Sequence, residues 1–471
     1  MDKNRIPEAV RTIHLIAVCG TGMGALACML RDLGFEVTGS DQRMYPPMSD
    51  FLVKKGIRIM DGFRTENLSH APDLIIVGNA VVRENPEAQE LHRMGLNFCS
   101  MPQALNRFVA GGKKTLLVSG THGKTTTSSI LAWILHEAGL DPSFMIGGIL
   151  KNFDSNYRLG EGSYFVVEGD EYDTAFFDKG PKFLHFNPQA TVLTSVEFDH
   201  ADIFHDLDHV KRTFKGFVSG LDASSLLLAY DGDKNITGLV ENANCRLENY
   251  GHSKTSAWRL GPISFESPWT IFEILKNNQS LGVFKTRIFG EHNLLNALAV
   301  TGVADHLNIP PEIIANALKT FEGIKRRQEI RGEKRQITVI DDFAHHPTAV
   351  RETVRAVKSV HTSGRLIAVF EPRTNTSMRS VFQKEYLQSF EMADLICIRQ
   401  PPLLKKIPEG QRFSSIQLVD DLKRRGKKAN YFPDTDAIIE FLVAKARPRD
   451  LILIMSNGGF DNIHERLLES L

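Results

Sequence analysis

The sequence predicts an α/β protein of three units in series: a Rossmann-like N-terminal unit, a central P-loop ATPase-like unit with an antiparallel β insertion, and a Rossmann-like C-terminal α/β unit. Three observations lead there. Short apolar runs alternate with helical stretches along the chain, the pattern of parallel sheets joined by crossovers. Two glycine-rich turns each sit between a strand and a helix. The chain has 471 residues, which at roughly 150 per domain gives about three domains. The boundaries fall at residues 1–111, 112–324 and 325–471.

In the first unit, Ile13–Val18 reads as a buried strand, followed by a glycine turn and a helix to Leu33. A short strand precedes Gly39-Ser40-Asp41, and Leu74–Val77 is another. Gly111-Gly112-Lys113-Lys114 reads as a linker. In the second unit, Leu116–Ser119, Tyr164–Val167 and Thr191–Val196 read as strands and Lys124–Ala138 as a helix. From Cys245 to Ile288 polar and apolar positions alternate, the mark of antiparallel strands. A helix follows from Glu291 to His306. Gly323–Arg327 is a second hinge, about which the flanking units can close. Beyond it the strands are Ile337–Ile340, Leu366–Phe370, Leu395–Ile398 and Leu451–Met455.

Composition narrows the partners. Lys plus Arg and Asp plus Glu both number 56, so no global basic field favours nucleic acid. The apolar share is 42% and the charged share 24%, ordinary for a folded protein. The five cysteines are odd in number, widely spaced and without a C-x-x-C pair, which argues against a disulfide framework and for a reducing cytoplasm. The N-terminal segment lacks the apolar core of a signal peptide. No apolar run approaches the roughly 18 residues of a membrane helix. A soluble cytoplasmic protein is expected, without membrane insertion.

Gly120-Thr121-His122-Gly123-Lys124-Thr125-Thr126 has the context of a phosphate loop. Glycines let backbone N–H groups close around phosphate oxygens, and the helix N-terminus adds positive potential. Lys124 would bridge the outer phosphates of ATP and Thr125 would offer a hydroxyl to Mg2+. The loop is a short variant, with Val118 where the usual first glycine stands. Gly20-Thr21-Gly22-Met23-Gly24-Ala25 follows the first strand, with Asp41 about twenty residues on, as in the Rossmann fingerprint. A dehydrogenase built on Gly20 and Asp41 is the competing class, but it leaves the Lys124 loop without a role. Acids cluster after two further strands, at Glu168–Asp173 and Glu197–Asp202. In an open parallel sheet these ends gather at one edge, so Thr125, Glu168 and His200 are candidate metal residues.

These residues resemble the Mur ligases of peptidoglycan synthesis. The loop from Gly120 to Thr125 resembles their ATP loop, and Gly290-Glu291-His292-Asn293-Leu294-Leu295-Asn296 resembles their adenine-binding helix. Arg326-Arg327 and Asp341–Pro347 fall in the family's order. Tyr45–Ser49, Glu197–Phe204, Glu371–Thr376 and Met455–Phe460 resemble the peptide-recycling branch rather than the L-alanine-adding branch. The resemblance implies the three-domain Mur ligase architecture, with UDP-N-acetylmuramate as the acid and the murein tripeptide L-alanyl-γ-D-glutamyl-meso-diaminopimelate as the amine. It implies ATP and Mg2+, with Lys124, Glu168, His200 and Arg327 as catalytic residues. Asn293 and Asn296 would face the adenine, and Arg327 and Asp342 would reach phosphate and ribose. Substrate contacts are expected at Gly20, Thr21, Gly22, Met23, Gly24, Asp41, Asn79, His345, Arg373 and Asn375. Several family members carry a carbamoylated lysine near the second metal; Lys215 lies in that neighbourhood and is left outside the expected site. A monomer or weak homo-oligomer is expected.

Overall fold

A computed structural model describes residues 3–44, 48–361 and 363–471. The Tyr45–Pro47 portion of one resembling stretch therefore lies outside the described residues. Among the described residues, three large sheets follow one another along the chain, with one two-stranded hairpin beside the second. The first contains β1 (Thr12–Ile16), β2 (Glu36–Asp41), β3 (Arg58–Asp61), β4 (Leu74–Val77) and β5 (Phe98–Ser100). Its order is β3-β2-β1-β4-β5, with every neighbouring pair parallel. The helix Thr21–Asp32 crosses from β1 to β2 and buries Ala25 through Leu30. The first strand stops short of Val18 because Ala17 takes a φ of 65°. Its N–H and that of Val18 both donate to Ser40 O, which ends the ladder.

The central region contributes β6 (Lys114–Ser119), β7 (Ser143–Leu150), β8 (Ser155–Arg158), β9 (Tyr164–Gly169), the hairpin β10 (Asp173–Ala175) and β11 (Asp178–Pro181), then β12 (Pro188–Leu193). It continues with β13 (Leu226–Tyr230), β14 (Arg246–Gly251), β15 (Trp258–Glu266), β16 (Trp269–Lys276) and β17 (Gln279–Thr286). Apart from the hairpin these form one ten-stranded sheet, ordered β17-β16-β15-β14-β13-β12-β6-β9-β7-β8. The expected antiparallel insertion is corrected in one respect. It extends the central sheet, but its first strand, β14, runs parallel to β13. The helix Lys234–Val240 supplies the crossover that brings β14 back in the same direction. Antiparallel pairing holds for β15, β16 and β17.

The third sheet holds β18 (Glu329–Lys334), β19 (Ile337–Asp342), β20 (Leu366–Phe370), β21 (Leu395–Arg399), β22 (Ala429–Phe432) and β23 (Leu451–Met455), ordered β18-β19-β23-β20-β21-β22. All but β18 are parallel. Every residue of β20 and β23 is buried, as expected of strands covered on both faces. One apolar cluster runs from Leu15 and Met29 of the first layer to Phe165 and Phe214 of the second. The third sheet has its own clusters on its two faces. The five cysteines are free and buried. Among the described residues no helix is long and apolar enough to cross a membrane.

Candidate active site

The order of the central sheet assembles the site. The strand β6 lies between β9 and β12, so the phosphate loop, Glu168 and the Glu197–His200 segment emerge side by side at one carboxyl edge. Two glycines are required by the geometry. Gly120 has a φ of 133° and Gly123 one of 82°. A Cβ on Gly120 would overlap the Thr194 hydroxyl and lie 2.8 Å from Ser195 N; one on Gly123 would lie 2.9 Å from Asn296 Oδ1. The loop is thus pressed between the segment after β12 and the helix Glu291–His306. Its Thr121 N–H donates to Ser195 O at 2.9 Å, and its His122 N–H to Ser195 Oγ at 2.8 Å. These bonds explain why β12 ends at Leu193 rather than at Val196: the next residues serve the loop instead of a neighbouring strand.

Lys124 begins the following helix. Its Nζ donates to Gly120 O at 2.6 Å and to Glu171 Oε2 at 2.9 Å, with Asp170 Oδ1 at 3.9 Å. Burial opposes its charge, but Glu171 and Asp170 outweigh that and hold it protonated. Burial also works against ionised Asp170, yet Lys182 at 2.9 Å and Lys124 bring its pKa down to about 2. On the other side of Glu171, His200 Nε2 is 3.6 Å from Oε1, and its ring lies 4.7 Å from that of Tyr172.

Thr125 Oγ1 is 3.4 Å from Glu168 Oε2, and Arg327 Nη2 is 3.4 Å from Thr125 Oγ1. The other Glu168 oxygen accepts the Gly147 N–H at 2.7 Å. Burial, helped by Asp170, pushes the Glu168 pKa up. A hydroxyl and a half-buried carboxylate this close form an oxygen donor set that suits a hard cation. Burial lowers the Arg327 pKa, and its guanidinium lies 4.8 Å from the Phe343 ring centre. Asp342 accepts the N–H groups of Gln328 and Ala344, each at 2.8 Å, while burial raises its pKa. Asn293 Nδ2 donates to Phe289 O at 2.9 Å and to Gln328 Oε1 at 3.1 Å. His345 donates from Nδ1 to Phe343 O at 3.0 Å and is kept neutral by burial.

Lys124, Thr125, Glu168, Asp170, His200, Asn293, Arg327 and Asp342 border one cleft of about 1000 Å³, which Thr21 and Gly22 of the N-terminal turn also line. The two glycine turns therefore face a shared space. Profiles of three family domains match the chain in series: Mur ligase family, catalytic domain, at residues 12–113; Mur ligase middle domain at 118–304; and Mur ligase, glutamate ligase domain, at 326–458.

The chain belongs to the Mur ligase family.

Among Mur ligases, it is 39% identical over 98% of each chain to the UDP-N-acetylmuramate–L-alanyl-γ-D-glutamyl-meso-2,6-diaminoheptandioate ligase of Escherichia coli K12. It is 33% identical to the UDP-N-acetylmuramate–L-alanine ligase of Acetivibrio thermocellus, over 98% of this chain and 97% of that one. A solved murein peptide ligase from Psychrobacter arcticus superposes with a TM-score of 0.74 at 33% identity, covering 98% of each chain. The UDP-N-acetylmuramate-alanine ligase of Thermotoga maritima gives 0.80 at 24% identity over 98% of this chain and 99% of that one, a likeness of fold.

Of the expected residues, Thr21, Gly22, Thr121, His122, Gly123, Lys124, Thr125, Thr126, Glu168, His200, Asn293, Asn296, Arg327, Asp342 and His345 line the Mur ligase cleft. Others stand back from it. Gly120 shapes the loop from beneath. Gly20 precedes the helix Thr21–Asp32, and Met23 and Gly24 are buried within it. Asp41 accepts the Cys19 N–H at 2.9 Å and so braces the N-terminal turn. Asn79 donates to Asp173 O, joining the first layer to the β10 hairpin. Arg373 Nη1 is 3.5 Å from Glu371 Oε2, and Asn375 Nδ2 donates to Asp202 at 3.0 Å. Lys215 is exposed and outside the cleft lining. Sequence reasoning gave Glu171 no role, although it pairs with Lys124. Its signal was its place in the acidic run after β9.

Proposed function

We propose that this Mur ligase joins the carboxylate of UDP-N-acetylmuramate to the amine of L-alanyl-γ-D-glutamyl-meso-diaminopimelate, with ATP converted to ADP and phosphate. The observation that carries the reading is the full-length match at 39% identity to the ligase named for that reaction. The corresponding protein of Haemophilus influenzae matches at 37%, and the L-alanine ligase of Acetivibrio thermocellus at 33%.

In this reading the acid's carboxylate attacks the γ-phosphorus of ATP. ADP leaves and an acyl phosphate forms. The tripeptide amine then attacks the acyl carbon, phosphate departs, and the amine proton passes to solvent or a nearby base. Attacker and target are both anionic, so positive groups must surround them. Lys124, released from Glu171 by the incoming phosphates, supplies one charge and Arg327 another. Loop N–H groups and the N-terminus of the helix Lys124–Glu137 add donors. Thr125 and Glu168 fit a magnesium ion, with His200 beside a second. When bound, magnesium neutralises charge on the phosphate oxygens.

The N-terminal turn suits the diphosphate of the UDP-sugar, because Thr21 and Gly22 border the same cleft as Lys124. Asn293, Asn296 and Asp342 are assigned to the nucleoside end of ATP. Arg373, beside buried Glu371, is assigned to a carboxylate of the incoming peptide. Water would hydrolyse the acyl phosphate, so closure of the third layer over the cleft should precede chemistry. A cytoplasmic site of action goes with nucleotide-linked substrates.

Phosphate release tests the assignment. Purified protein, ATP, Mg2+ and UDP-N-acetylmuramate should release phosphate with the tripeptide and little with free L-alanine. Preference for L-alanine would move the chain to the biosynthetic branch, and release with neither amine would remove the reading.

A further inference from the structure

At the edge of the cleft lies a triangle of side chains that the ligation chemistry leaves unused. His122 comes from the phosphate loop, Glu197 from the segment after β12, and His346 from the start of the helix Pro347–Val360. His122 Nε2 is 3.5 Å from Glu197 Oε2, and His346 Nδ1 is 3.6 Å from the same oxygen. The three candidate ligand atoms all lie within 4.8 Å of one another. His122 Nε2 is buried and has no hydrogen-bond partner among the described residues.

We propose that His122, Glu197 and His346 form a site for a divalent transition-metal ion of the zinc type, separate from the oxygen set at Thr125 and Glu168.

Three features of the residues support it. The first is spacing. Ligands about 2.0–2.2 Å from a tetrahedral ion lie about 3.4 Å apart, which matches both measured edges. The second is orientation. His346 donates from Nε2 to Phe198 O at 3.1 Å. That bond fixes the tautomer and leaves the Nδ1 lone pair toward Glu197, the usual arrangement behind a metal-binding histidine. Burial and the neighbouring His122 keep His346 neutral, with a pKa down at about 3. The third is donor chemistry. Two imidazoles and one carboxylate favour zinc, cobalt or nickel over magnesium.

The site has competitors within the protein. His346 Nδ1 accepts the Thr348 N–H at 3.3 Å, and Glu197 Oε2 accepts the Thr348 hydroxyl at 2.7 Å. The first bond is long and would yield to an ion; the second can persist beside one. His122 and Glu197 line the cleft, so a fourth position is open to water. Because His346 belongs to the third layer and the other two to the second, an ion here ties the phosphate loop to the C-terminal layer.

The test uses the metal-stripped full-length protein without nucleotide, in excess Mg2+, titrated with Co2+. The expected result is one Co2+ per chain with visible d–d bands, retained in His200→Gln. Affinity should fall about tenfold or more in Glu197→Gln and in His346→Gln, the scale seen when such sites are perturbed. A wild-type protein that takes up no stoichiometric Co2+ overturns the proposal, and so does binding that survives in both Glu197→Gln and His346→Gln. Should either variant misfold, X-ray absorption on the cobalt-loaded wild type decides. Two imidazoles are expected, and an all-oxygen shell would contradict the site.

Discussion

Lys124→Met separates the two jobs of the phosphate-loop lysine. Lys124 and Glu171 meet at 2.9 Å with side-chain exposures of 12% and 2%. Removing the cation leaves a buried carboxylate whose next basic neighbour is His200 at 3.6 Å. Breaking a buried ion pair costs about 3–5 kcal/mol. His200 stays within 3.6 Å of the stranded carboxylate, so a loss near the lower figure is expected. At about 2–4 °C per kcal/mol for a domain of 150–250 residues, the midpoint for the central layer should fall by roughly 6–12 °C. ATP turnover should vanish in the same variant. The double variant Lys124→Met/Glu171→Gln removes the stranded charge as well. It should regain most of the midpoint and none of the turnover. Calorimetry and a phosphate-release assay on the three proteins measure both. A double variant that turns over ATP, or a single variant as stable as wild type, would refute the reasoning.

Three further outcomes follow from the same geometry. Gly120→Ala places a methyl group against Thr194 and Ser195 at a φ of 133°, so calorimetric titration should show ATP binding lost or weakened by about fivefold or more, as about 1–3 kcal/mol of backbone strain implies. His292 is pushed down to about 4, chiefly by burial and also by Arg327, against the attraction of Glu352. Between about pH 4 and the unfolded value of about 6.5 the unfolded chain holds the extra proton, so stability rises with pH by at most about 1.4 kcal/mol per unit; His292→Gln should flatten that slope in urea titrations. Arg373→Lys keeps a charge but loses the planar fork, so the KM for tripeptide should rise several-fold while that for ATP stays near wild type; two unchanged values would remove Arg373 from the peptide site.

What the sequence made legible follows from where the information lies. Leu366–Phe370 and Leu451–Met455 were read with their observed ends, because a strand buried on both faces is a continuous apolar run. The strand Glu329–Lys334 escaped notice because it is polar, sits at a sheet edge and is largely exposed. The direction of Arg246–Gly251 depends on a crossover helix rather than on its own alternation. The phosphate loop was readable since its chemistry is packed into seven consecutive residues. The Lys124–Glu171 pair and the His122–Glu197–His346 triangle join remote segments, and no local pattern announces them. The N-terminal turn was recognised, but Asp41 turned out to brace Cys19 rather than line the cleft.

The central claim is that two anion sites on one cleft bring a carboxylate to the γ-phosphate of ATP. Labelling the muramyl carboxylate of UDP-N-acetylmuramate with 18O, and analysing the phosphate released in the presence of tripeptide by mass spectrometry, tests it most directly. One 18O per phosphate is predicted, because the attacking oxygen leaves with phosphorus when the amide forms. Phosphate free of label, released in step with amide formation, would contradict the account.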